Sequence, residues 1–235
     1  MNKKLFILYL ICAGIGSSVC AQVPYFAGTA GDGNLYGYTS LKYRTPADTT
    51  KAYNTLETYT TFQYGITDYF ATGMDLYTCN NQVYWGVLIR GGYKVNQWFG
   101  VGLQATPSFD LTDKFKFSYA TIGLYMNGAL IPIGNFFWCS NTWASIARDG
   151  SNSFSQWWYL GYCIDFGKHG SLTPMVGCTH SWKFDEQANL AAGFYYSYGY
   201  WNFYAWGNDF IKANPRVVVG IDFCIPAKRI KDENK

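Results

Sequence analysis

Residues 53–78, YNTLETYTTFQYGITDYFATGMDLYT, alternate side-chain character on both sides of one turn. Before the turn, Leu56, Thr58, Thr60, Phe62 and Tyr64 share one face, and Glu57, Tyr59, Thr61 and Gln63 share the other. After it, Phe70, Thr72, Met74 and Leu76 alternate with Ala71, Gly73 and Asp75. A period of two predicts strands with two unlike faces. Gly65-Ile66-Thr67-Asp68 is expected to reverse the chain, because Gly accepts positive φ and Thr and Asp bond to nearby backbone. Roughly 10–12 alternating residues per strand exceeds the soluble norm of about 5–6 and suits a tilted bilayer crossing. The hairpin therefore predicts an all-β protein, an antiparallel up-and-down transmembrane β-barrel.

Composition agrees with that expectation. Aromatic residues make up 20% of the chain and charged residues only 14%. A wall facing lipid needs an apolar outer surface, and Tyr and Trp gather where lipid meets water. The formal charge of +3 is small and no basic cluster is interleaved with base-reading motifs, so no nucleic-acid partner is expected. Lys3 and Lys4, the apolar run Leu5 to Ile15 and the small residues before Gln22 read as a secretory signal over 1–21. Five cysteines would remain in the mature chain: Cys79, Cys139, Cys163, Cys178 and Cys224. An odd count without CxxC spacing argues against a fully paired disulfide framework.

Along the chain, residues 22–33 are Gly- and Ala-rich without a period and read as a periplasmic lead-in. Strand-like runs then fill 34–225, with Pro107 expected to end one of them. Residues 226–235 read as a charged tail. The runs number eleven or twelve. Twelve strands follow if Gly199 breaks the aromatic tract Phe194 to Trp206; ten is the alternative. With both ends in the periplasm, the turns near Gly65, Val95, Ile133 and Lys168 fall on that side. The more polar segments at Thr45, Asp110, Arg148, Asp185 and Asn208 face outward.

The run from Leu56 through Tyr64-Gly65-Ile66-Thr67-Asp68 resembles a hairpin of Gram-negative outer-membrane barrels. It looks closest to transporters of the MetA-pathway, phenol-degradation type, with Ile66 in place of their Leu. Ala21-Gln22 at the end of the signal also resembles secreted proteins of the Bacteroides group. The resemblance implies an outer-membrane location and passage of small, partly hydrophobic molecules. Outer-membrane lipids and the barrel-assembly machinery are then the expected partners, with a small solute besides.

Five charges are expected to point inward: Glu57, Asp75, Arg90, Asp165 and Asp222. They read either as a polar constriction or as a salt-bridge network that fills the lumen. Tyr59, Tyr84, Leu88 and Met175 would fill part of it. Trp138, Trp143, Trp157, Trp158, Tyr200, Trp201 and Trp206 are expected in the interfacial girdle. No catalytic set is expected. His180 precedes Ser181, so in a strand the two point to opposite faces. No metal or cofactor motif is found.

Overall fold

The computed structural model describes residues 28–44, 56–79, 81–96, 99–129, 135–181, 188–208, 210 and 215–226. The signal at 1–21, the tail from 227 onward and the loops at Thr45, Ile133 and Asp185 lie outside the described residues.

Thirteen strand segments form one antiparallel sheet that closes on itself. They are β1 (Asn34–Arg44), β2 (Leu56–Thr67), β3 (Phe70–Cys79), β4 (Gln82–Lys94), β5 (Gly100–Asp110), β6 (Lys116–Ala129) and β7 (Phe136–Ala147). There follow β8 (Ser153–Tyr162), β9 (Ile164–Asp165), β10 (Ser171–Ser181), β11 (Asn189–Tyr198), β12 (Trp201–Asn208) and β13 (Arg216–Pro226). β9 continues β8 past Cys163, since Gly161↔Met175 and Ile164↔Leu172 keep one register against β10. Twelve strands therefore span the wall. β13 pairs with β1 from Asn34↔Pro226 to Arg44↔Arg216, and no edge is left open.

The alternation read in the sequence sets the two faces. Outward positions such as Phe62, Met74, Leu76, Ile89, Leu103, Ile122 and Val219 are exposed apolar side chains. Their inward neighbours Thr61, Gln63, Asp75, Leu88 and Arg90 are buried. An apolar outside around a polar inside is the arrangement a bilayer imposes on a barrel.

Two turn expectations are corrected. β2 runs through Gly65 to Thr67, and the reversal falls at Asp68–Tyr69. β5 runs straight through Pro107, which sits opposite Ala120 of β6. The β4–β5 ladder instead has a gap there, between Gly86↔Ser108 and Ile89↔Ala105. Proline has no N–H to donate, so the wall keeps its course and loses only local pairing. Gly199 does break the aromatic tract. Its φ of 58° makes the β11–β12 turn. Gly199→Ala is expected to cost about 1–2 kcal/mol, the strain of a side chain in the left-handed region. Urea unfolding in lipid vesicles would show it.

A candidate solute site in the barrel lumen

Inward residues on neighbouring strands stack because the register brings them side by side. Tyr59 lies opposite Tyr77, and Tyr77 opposite Tyr84. The resulting row runs Tyr36, Tyr38, Tyr59, Tyr77, Tyr84 and Tyr119. Successive ring centroids are 6.0, 5.4, 6.1, 5.9 and 5.4 Å apart. These spacings lie within the range of favourable aromatic pairs.

A second row covers the other half of the wall: Tyr125, Trp143, Trp157, Tyr159, Trp206 and Tyr195. Its indoles keep polar partners. Trp143 Nε1–H donates to Tyr125 Oη at 3.0 Å, and Trp206 Nε1–H to Tyr195 Oη at 2.7 Å. Around Trp206, Tyr159 packs with Cys139, Met175, Ala191, Tyr195, Tyr204 and Val218. This cluster fills one side of the lumen.

Between the rows lies a cavity of about 430 Å3. Tyr59, Tyr77, Tyr84, Tyr119, Trp143 and Trp157 supply ring faces, and Ser40, Thr106, Ser108, Thr121, Ser155 and Thr179 supply hydroxyl-bearing residues. Lys42 and Arg216 also line it. Lys42 Nζ stands 5.3 Å from the Tyr59 ring centre, and the Arg216 guanidinium 5.8 Å from that of Trp157. Such cation–π contacts hold long side chains against the wall. The cavity shares Tyr84 and Tyr119 with a depression at the loop end, lined also by Asp110, Asp113, Arg148 and Asp149. There the Ser151 hydroxyl and N–H bond to Asp149 and hold its carboxyl below the ordinary range.

Four of the five expected inward charges do face the lumen. Asp75 accepts hydrogen bonds from the hydroxyls of Tyr59 and Thr61, the latter at 2.6 Å. Arg90 Nε donates to Gly28 O at 2.6 Å and Nη1 to Gln104 Oε1 at 3.0 Å, while its guanidinium lies 4.2 Å from the Tyr125 ring centre. Asp222 accepts from Asn202 Nδ2 at 2.6 Å. Glu57 faces in opposite Lys42 and Cys79. Neutral hydroxyls and an amide therefore carry Asp75 and Asp222, where ion pairing was one expectation. Asp165 is different. It is exposed at the turn end, where its Oδ1 accepts the Gly167 N–H.

Only part of the expected girdle set lies on the outer face. Trp158 and Trp201 are exposed on the outer face. Trp138 shares that face and stacks on Phe99. Tyr200 belongs to the β11–β12 turn. Trp143, Trp157 and Trp206 point inward, because their positions share the parity of Asn141, Tyr159 and Tyr204. Lys42 and Arg216 were absent from the sequence-based set. Parity alone finds Arg216, which shares a face with Asp222 on the same strand.

Residues 28–33 of the lead-in are not free of the barrel. Thr29 and Ala30 are each only 2% exposed. Thr29 Oγ1 donates to Asp68 O at 2.8 Å, the Asp32 N–H to Asp68 Oδ1 at 3.1 Å, and the Gly33 N–H to Gly65 O at 2.9 Å. Gly65 is therefore needed for close approach, since a Cβ there would lie 1.7 Å from Gly31 O. Among the described residues no group of three His, Cys, Asp or Glu side chains could hold a metal ion.

A closed antiparallel barrel of twelve spanning strands, apolar outside and polar-aromatic inside, has the porin type of fold. It is similar to the KdgM porin solved with a disordered oligogalacturonate, at TM-score 0.56 and 10% identity over 79% of this chain and 98% of that one. It is similar also to the NanC porin, at TM-score 0.51 and 10% identity over 80% and 98%. At that identity the likeness is one of fold. No protein-family model matches the chain, and no curated protein sequence matches it.

Proposed function

We propose that this barrel is a narrow outer-membrane channel for small, ring-bearing, hydroxylated solutes. The observation that carries the reading is the cavity of about 430 Å3 inside a closed wall, lined by ring faces and hydroxyls together. Its size lies in the range of about 300–1,000 Å3 typical of small-molecule sites. Ring faces favour the flat side of a sugar or phenol, and hydroxyls and amides bond to its substituents. The hairpin's resemblance to phenol-degradation transporters and the oligogalacturonate on the KdgM porin both involve ring-bearing, hydroxylated molecules. A second reading is a non-conducting barrel acting through its outer loops. The packed cluster around Trp206 favours it, because it occupies one side of the lumen.

The test is single-channel recording of the refolded, signal-free protein in planar bilayers, with phenol or trigalacturonate added. Steps blocked by either solute are expected. Tyr77→Ala should weaken block about 2- to 10-fold, the worth of one aromatic contact. Outward Phe62→Ala should leave block unchanged. Silence of the folded protein, with and without residues 22–33, would overturn the channel and leave the second reading.

A further inference from the structure

We infer that residues 28–33 form a releasable plug seated in the short-turn mouth of the barrel, with Arg90 as its latch. The consequence for passage rests on the channel reading; the seat itself does not.

The segment touches four elements of the wall. Beyond its bonds to Asp68 and Gly65, Gly28 O receives the Arg90 Nε–H of β4, and Ala30 O lies 3.8 Å from Cys224 Sγ of β13. Two glycines on different strands are shaped to its backbone. A Cβ at Gly65 would meet Gly31 O, and one at Gly92 would lie 2.5 Å from Gly28 Cα. A wall with two notches cut to one segment is a fitted seat.

The bonding also marks the segment as separable. Apart from the Thr29 hydroxyl and the Ala30 side chain, which packs on Tyr36 and Cys224, the contacts described run through backbone N–H and C=O groups, which water can replace. The latch is the exception. Arg90 is held by Gln104 and Tyr125 whether or not Gly28 is present, so it stays in place when the segment leaves. The aromatic cluster around Trp206 occupies the part of the lumen lined by β7, β8 and β10 to β13. Segment and cluster together leave the cavity on the loop side, with no plug residue in its lining.

Cys224 reports the seat without any need for conduction. It is 4% exposed and packs with Ala30 and Tyr36. The test labels Cys224 with a small charged thiol reagent in vesicles, with Cys79, Cys139, Cys163 and Cys178 replaced by alanine. Wild type, a variant lacking residues 22–33, the wedges Gly65→Ala and Gly92→Ala, and Arg90→Met are compared. Labelling should rise about tenfold or more in each variant, the factor lost with one charge-assisted bond or the equivalent steric push. The two wedges act on different strands, so a folding failure in one leaves the other to decide. Equal labelling in wild type and in all folded variants would overturn the plug. Conductance of the same proteins then separates the two readings. Faster labelling with larger or more frequent steps supports plug and channel. Faster labelling with no steps from any variant supports the seated segment and overturns the channel.

Discussion

Met74→Arg is expected to destabilise the protein in bilayers by about 2–4 kcal/mol, the cost of a cation at the midplane of a barrel's lipid face. Met74 is 47% exposed and lies near the middle of β3, on the outward parity between Gly73 and Asp75. Its cross-strand neighbours Phe62 and Val87 are apolar, so the charge would meet no partner. Urea titration in vesicles, followed by tryptophan fluorescence, measures the effect. Thr121→Arg, which places the same charge at a half-buried position on the cavity wall, is the control and should cost far less. Equal costs at the two positions would mean that the outer face does not meet lipid.

Trp206→Ala is expected to cost about 3–5 kcal/mol, the usual range for deleting a buried aromatic side chain. Trp206 is 2% exposed, touches Tyr159 and Tyr195, and donates its indole proton to Tyr195. Removing it leaves a void and takes away the indole N–H that bonds to Tyr195, in the cluster that occupies one side of the lumen. The same titration reports the loss. A barrel held together mainly by its strand ladder, with loose side chains inside, would instead lose less than about 1 kcal/mol, as surface substitutions do.

The strands were legible because the period of two is a property of the backbone, and it survives any choice of side chains. Along β3 the exposed Phe70, Met74 and Leu76 alternate with the buried Ala71 and Asp75. The destinations of the aromatics were less legible. A tryptophan suits a headgroup layer and a packed interior equally well, so Trp158 and Trp206 cannot be told apart by type. Only parity separates them, and parity must be counted from a residue whose face is known. Asp222 gives that anchor for Arg216, as Asp75 does for Tyr59 on the facing strand through the register. Gly65 was legible as a special position, but its reason lies 34 residues upstream in the Gly31 backbone that packs on it. Residues 28–33 carry no period because most of their bonds are made by main-chain atoms, which leave no mark in side-chain type.

The seam between β1 and β13 governs how the molecule can be made. It joins eleven residue pairs whose members lie nearly the whole described chain apart. Every other spanning strand meets its neighbour through a connection of eleven residues or fewer. Bringing such distant segments together costs chain entropy before any ladder bond repays it, so the seam is the step expected to limit folding speed. Until it forms, the sheet has two unsatisfied margins, each able to capture another chain. Yield during refolding should therefore fall with protein concentration, while the finished barrel, having no margin left, should be indifferent to it.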